Sequence, residues 1–414
     1  MNFSSIQTLL RENPIVVTGM GSFSAAGDSV AALWQAVMAG RSLAAWREFG
    51  NEKERLRFAV CGAPALDPTR PELHAVRKLD RCVQMSWRAA QQAWEQARLT
   101  NAYKTERVGV MVGSSRGPLG KQIESLRRES TLRVAPSLSA DCTFGSLSGA
   151  LAQIFKLKGP GAAISATCAS GAFAIGLAAE QILLGKADAM LVGATEAPLM
   201  TALLEQLHAA GVFGFHEEVE RTCRPFDVTR NGLVLGEGSA FLVLESARAA
   251  QARGADIHAR LAGWSMSLDN SGRTGVSEDG AGLLQVMREA LQMAGLGADR
   301  IDYINAHGTG TKLNDAAEAQ AVRTLCGDRT MRVPCSSTKP ITGHCLGATP
   351  ALEAVVSVEA LRQQMIPPTA NCWSQDPLCP IQVQPLTGQP AKISTVMSNS
   401  LGFWGYHASL IFSK

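Results

Sequence analysis

Short β-branched runs alternate along this chain with stretches whose apolar residues recur every three or four positions, the pattern of an α/β protein built in layers. Residues 15–17, 108–112, 190–192, 240–244, 301–304 and 408–412 read as strands. Residues 30–39, 83–97, 171–184, 281–294, 316–325 and 351–363 read as helices, and no low-complexity linker divides the chain. A faint repeat runs through the pattern. Ser165-Ala166-Thr167-Cys168-Ala169-Ser170-Gly171 leads into one apolar helix, and Gly343-His344-Cys345-Leu346-Gly347-Ala348-Thr349 leads into another. Two similar halves, each with a buried central helix preceded by a turn of small residues, would produce it.

Composition sharpens this picture. Charged residues are 18% of the 414 positions and glycines number 39, while 46% of residues are hydrophobic but only 6% aromatic. A large interior packed from small aliphatic side chains is therefore expected. Residues 159–179 carry no charge, a length that would cross a bilayer. Their large apolar side chains are only Ile164, Phe173, Ile175 and Leu177, which predicts a buried helix and no membrane span. A net charge of +3 supplies no basic stripe for nucleic acid. The first residues lack the cationic and apolar regions of a signal peptide, so cytoplasmic residence is expected. The ten cysteines form no Cys-x-x-Cys pair, which predicts reduced thiols and no metal site.

Several short motifs carry candidate chemistry. Gly19-Met20-Gly21-Ser22-Phe23-Ser24 follows the first strand but has serine where a dinucleotide fingerprint needs its third glycine, and no phosphate-cradling G-x-x-x-x-G-K-[ST] loop occurs. Nothing indicates a nucleotide cofactor. Gly113-Ser114-Ser115-Arg116-Gly117 matches the G-x-S-x-G turn of serine hydrolases. Ser115 would then be a nucleophile served by Asp302 or Asp315 and by His307 or His344; a structural strand-to-helix turn is the competing role. Cys168 is the stronger candidate, because it precedes a helix, where unpaired N–H groups and the helix dipole lower a thiol's pKa. Its company adds weight. His307 lies in Asn305-Ala306-His307-Gly308-Thr309-Gly310-Thr311 after a strand, and His344 ends Ser337-Thr338-Lys339-Pro340-Ile341-Thr342-Gly343-His344, with Lys339 five positions earlier.

Together these motifs resemble the β-ketoacyl-acyl carrier protein synthases, the ketosynthases of fatty acid and polyketide assembly within the thiolase superfamily. The resemblance covers essentially the whole chain. It runs from Val16-Val17-Thr18-Gly19-Met20-Gly21 through Thr167-Cys168-Ala169-Ser170-Gly171, Arg224-Pro225-Phe226-Asp227 and the glycines Gly232 to Gly238, and closes on Ser398-Asn399-Ser400-Leu401-Gly402-Phe403. It implies a thiolase-like five-layered α/β/α/β/α fold of two similar halves, residues 1–250 with the cysteine and 251–414 with both histidines. It also implies that Cys168 accepts an acyl chain from a carrier-protein thioester, and that His307 and His344 assist decarboxylation of a malonyl unit. The N–H groups of Cys168 and Phe403 would form the oxyanion hole, Lys339 and Glu353 would organise the site's charge, and Gly402, Phe403 and Trp404 would form the gate of the acyl tunnel. Such chemistry suits a thiolate, at once nucleophile and leaving group, with donors aimed at the oxygen where charge develops.

The resemblance further implies no metal or redox cofactor, an acyl carrier protein as partner, and a homodimer or a heterodimer with a chain-length-factor-like subunit. Arg77, Lys78, Arg127 and Arg128 are expected to steer the acidic carrier. Two departures stand out. Relatives commonly continue Gly402-Phe403 with Gly-Gly-Thr-Asn, whereas this chain reads Trp404-Gly405-Tyr406-His407, which removes backbone freedom beside the gate. Lys312 stands where proline is frequent. A length of 414 residues suggests a free-standing enzyme, and these departures favour type II polyketide or polyene assembly over housekeeping fatty acid elongation. The alternatives are a non-elongating chain-length-factor-like subunit, which would typically lack the cysteine, and the Ser115 hydrolase.

Overall fold

The computed structural model describes residues 3–50, 55–67, 69, 74–127, 135–270, 272–273, 276–384 and 386–414. Eleven strands form one continuous sheet: β1 (Ile15–Ser24), β2 (Val108–Gly113), β3 (Gly161–Ile164), β4 (Ala189–Glu196), β5 (Gly238–Ser246), β6 (Ala259–Leu268), β7 (Tyr303–Asn305), β8 (Pro334–Ser336), β9 (Gln382–Val383), β10 (Thr395–Gly402) and β11 (Tyr406–Ser413). Their spatial order is β9-β8-β7-β10-β11-β6-β1-β5-β4-β2-β3. Setting the two-residue β9 aside, the order from the seam outward is β1-β5-β4-β2-β3 on one side and β6-β11-β10-β7-β8 on the other. Strand for strand, the second run repeats the first. The runs meet antiparallel, Ile15 opposite Leu261.

Five helices cover the sheet: α1 (Arg81–Ala97), α2 (Ser170–Leu183), α3 (Ala281–Ala294), α4 (Lys312–Cys326) and α5 (Thr349–Gln363). Successive strand residues point to opposite faces, and here each face finds a different partner. Leu191, Phe241 and Val243 pack with Val83, Ala89 and Ala93 of α1, whereas Met190, Val192, Leu242 and Leu244 join Ile175 and Ala178 of α2 and Val355 and Val358 of α5. In the other half Ile304, Met397 and Ile411 pack with α3 and α4, while Val396, Leu410 and Phe412 face the central helix pair. The layers are helix, sheet, helix pair, sheet, helix. Strands buried on both faces read as continuous apolar runs, which is why six of them were visible in the sequence. β10 was not, because its centre is Ser398-Asn399-Ser400; these polar side chains are buried, and Asn399 accepts a 3.1 Å bond from Ser409 on β11.

Two expectations need correction. The uncharged run 159–179 is not one helix: it contains β3, a turn and the first part of α2. Gly and Ala carry no periodicity that separates the two, and pairing with β2, Val112 beside Ala163, decides for strand. The Gly19-Met20-Gly21 segment is likewise no turn, since β1 continues through it to Ser24. A Cβ at Gly19 would lie 2.2 Å from the Ala93 carbonyl oxygen, and one at Gly21 1.9 Å from that of Ala89. These glycines let α1 lie directly on β1. Among the described residues no helix is long and apolar enough to cross a membrane.

Candidate active site

The two central helices begin alike. Thr167 and Leu346 both take positive φ, 48° and 43°, and each stands three residues before its helix. The structural repeat therefore pairs Cys168 with Gly347, one place along from the register suggested by the sequence. Ser170 locks the first turn: its hydroxyl donates to the Thr167 carbonyl at 2.6 Å and accepts the Ala166 N–H at 2.9 Å. The C-terminal loop seats directly on it. The Thr167 hydroxyl donates to the Phe403 carbonyl at 3.2 Å, and a Cβ on Gly402 would come within 2.1 Å of that hydroxyl oxygen. This seating brings the Phe403 N–H to the Cys168 sulfur.

The His307 loop leaves β7 and hangs on carboxylates of α4. Glu318 accepts the N–H groups of His307 and Gly308, both at 2.8 Å, and Asp315 accepts those of Thr309 at 3.0 Å and Gly310 at 3.2 Å. His344, before α5, packs edge-on against His307 with ring centroids 5.4 Å apart. Its Nδ1 lies 3.0 Å from the Thr349 hydroxyl. Below the pair, the fully buried Lys339 ammonium donates to the His307 carbonyl and to Glu353 Oε1 at 2.7 Å. The His307 Nδ1 has no hydrogen-bond partner among the described residues.

Burial sets the electrostatics of the site. It drives both imidazoles well below the usual histidine range, and the Lys339 charge pushes in the same direction. Both rings are therefore neutral donors and acceptors near pH 7. Burial lifts Glu318 and Glu353 to about 7, against the N–H groups on Glu318 and the ammonium on Glu353. The expectation that Cys168 has a lowered pKa fails. Burial, reinforced by Glu196, pushes the thiol up to about 12; Lys339, Arg116 and the Phe403 N–H pull it only part of the way back.

Cys168, His307, His344, Phe403 and Trp404 share one cavity of about 400 Å³, and Ser115 and Arg116 lie on its wall. Ser115 does not assemble a triad. Asp302 is spent on the N–H groups of Ser394 and Thr395, Asp315 holds the His307 loop, and no hydrogen bond among the described residues joins the Ser115 hydroxyl to a histidine. The G-x-S-x-G turn is instead held by Glu196, which accepts from the Ser114 hydroxyl at 2.9 Å and from the N–H groups of Ser115 and Arg116. Trp404, half-exposed at a φ of 65°, donates its N–H to the Arg273 carbonyl at 2.9 Å, and the Arg273 guanidinium lies 5.6 Å from its ring. His407 follows, paired with Asp269 at 2.7 Å. Lys312 opens α4 at the cavity wall.

Of the carrier-docking residues, Arg77 and Lys78 are exposed, while the Arg127 side chain and Arg128 lie outside the described residues. Sequence reasoning missed Glu196, Glu318 and Thr349 as organisers of the site. The one signal was Glu318, a charge within the small-residue run Ala316-Ala317-Glu318-Ala319.

The chain as a whole is similar to known proteins. The chain matches the family models for the beta-ketoacyl synthase N-terminal domain over residues 12–250 and the C-terminal domain over residues 258–373. It is 36% identical over 421 residues to the 3-oxoacyl-[acyl-carrier-protein] synthase 2 of Coxiella burnetii, covering 98% of this chain and 99% of that one. Among solved structures it is similar to the ishigamide ketosynthase/chain length factor, with a TM-score of 0.88, 31% identity and coverage of 97% of this chain and 99% of that one. A type II polyketide ketosynthase, solved with its acyl-carrier protein and bound to a hexaketide, matches with the same TM-score and coverages at 28% identity. With matching thiolase-like architecture over nearly its whole length, the chain belongs to the β-ketoacyl synthase family of acyltransferases.

Proposed function

We propose that this protein is a ketosynthase of type II polyketide or polyene assembly, acting on chains carried by an acyl carrier protein. The observation that carries the reading is the meeting of Cys168 with two neutral histidines in one buried cavity. The acyl group passes from the carrier's phosphopantetheine sulfur to Cys168, whose proton goes to the departing thiol. A malonyl thioester then enters, its carbonyl oxygen accepting hydrogen bonds from His307 and His344. As carbon dioxide leaves, the bonding pair becomes the enolate, and donors already aimed at that oxygen stabilise it without quenching the carbanion. The enolate carbon attacks the acyl-cysteine, the Cys168 and Phe403 N–H groups hold the tetrahedral oxyanion, and the cysteine thiolate departs. No cofactor takes part.

Trp404 and the similarity to polyketide ketosynthases support the polyketide assignment; the similarity to 3-oxoacyl-[acyl-carrier-protein] synthases makes fatty acid elongation the second reading. The carrier would approach by Arg77 and Lys78, and the partner subunit would be a second copy or a chain-length-factor-like chain. We take residues 1–250 and 251–414 as the two halves. The test is Cys168→Ala with malonyl-carrier and acyl-carrier substrates. Condensation should vanish while malonyl decarboxylation persists; retained condensation, or acylation at Ser115 with Cys168 untouched, would refute the assignment.

A further inference from the structure

Besides the exposed Lys312, the cavity wall holds a half-buried charge that the condensation does not use. Arg116 follows the Glu196-bound turn, so its backbone is pinned by the 3.1 Å bond from its own N–H. Its side chain is half-buried on the cavity wall. There the Nε is fully enclosed and has no hydrogen-bond partner, and among the described residues no carboxylate forms an ion pair with the guanidinium. Glu196 acts on the guanidinium through its charge alone: its Oε1 is occupied by the turn, and its Oε2 is itself enclosed without a partner. The guanidinium nonetheless lies close enough to Cys168 to favour its thiolate.

Most of the surrounding wall is apolar, with Leu207, Val212, Leu233, Leu346 and Phe403 on the same cavity. A hydrocarbon chain attached to Cys168 would suit those residues but would displace water from the cavity side of the half-buried Arg116 guanidinium and leave that group's hydrogen-bonding shell incomplete, and desolvating an unpartnered charge is costly. An oxygen acceptor on the chain would complete it. We propose that Arg116 is a specificity-determining residue that selects acyl groups bearing an oxygen acceptor, a chain ketone or a carboxylate, over hydrocarbon chains of equal length. The inference rests on the reading of Cys168 as the acylated residue and extends it to the class of acyl group.

Intact-mass measurement of Cys168 acylation tests it. The full chain would be offered three pantetheine thioesters of equal length: a saturated acyl chain, one with a mid-chain ketone, and one ending in a carboxylate. At least one oxygenated chain should acylate Cys168 about tenfold faster than the saturated one, the value of one hydrogen bond to a charged group. Whichever is faster identifies a polyketone or a dicarboxylic acyl donor. Arg116→Met should abolish that preference, and because the ratio is taken within each preparation, partial misfolding does not affect it. Equal rates in the unaltered protein, or a preference that survives in Arg116→Met, would overturn the proposal. No acylation by any of the three is a different result: it would refute the acyl-cysteine reading, and the specificity inference with it.

Discussion

Thr349 is the residue through which the structure makes its sharpest demand on the chemistry. For His344 to donate from Nε2 to a thioester oxygen, Nδ1 must be the acceptor, and the buried Thr349 hydroxyl 3.0 Å away is the group placed to donate to it. Thr349→Val keeps the shape and removes only that donor. The loss comprises one net hydrogen bond, about 1 kcal/mol, and part of the cost of an unsatisfied buried acceptor, about 1–3 kcal/mol. If about 1–2 kcal/mol of this falls on the transition state, kcat for decarboxylation drops roughly 5–30-fold. The assay is conversion of malonyl-carrier protein to acetyl-carrier protein, followed by mass, with kcat and KM separated. KM should hardly move, and Thr349→Ser should restore most of the rate. A Thr349→Val protein with unaltered kcat, or one changed only in KM, would refute the claim that this hydroxyl sets the His344 tautomer.

Two pH experiments follow from the burial of the site. Because His307 and His344 are held well below 6.5, both stay neutral from about pH 8 down to about pH 6, and any limb in decarboxylation near pH 7 should belong to Glu318 or Glu353, lifted to about 7; a limb near 6.5 that survives in both Glu318→Gln and Glu353→Gln would contradict it. With the thiol near 12, alkylation of Cys168 by iodoacetamide should rise about tenfold per pH unit from about pH 7 to 9, since only the thiolate reacts. A plateau near pH 8 would show that the helix N-terminus outweighs burial.

The helices read from periodicity lie within a few residues of the observed ones, and 30–39 and 281–294 coincide with Val30–Ala39 and Ala281–Ala294. Five strands of the large sheet were missed: β8 and β9 are only three and two residues long, and the side chains of the other three disguise them. β3 is Gly-Ala-Ala-Ile, β10 is centred on buried serines and asparagine, and β6 mixes buried and exposed positions. Each is held by neighbours distant in sequence, which a local pattern does not contain. Cys168 and both histidines were legible as candidates because turns of small residues at the ends of apolar elements are uncommon company for reactive side chains. Glu196, Glu318 and Thr349 were not, since each acts on backbone or ring atoms brought to it only by folding.

Local order along the chain determined the layered α/β class, the two central helices and the identity of the reactive groups, because periodicity and motif spacing are written within a few residues. The tertiary structure alone decided the rest. It seated Gly402 on the Thr167 turn, set the histidine rings edge-on to one another, left the Arg116 guanidinium without an ion pair among the described residues, and reversed the expected direction of the Cys168 pKa. The physical reason is common to all four. Desolvation and close packing depend on what surrounds an atom from every side, and those neighbours come from both halves of the chain.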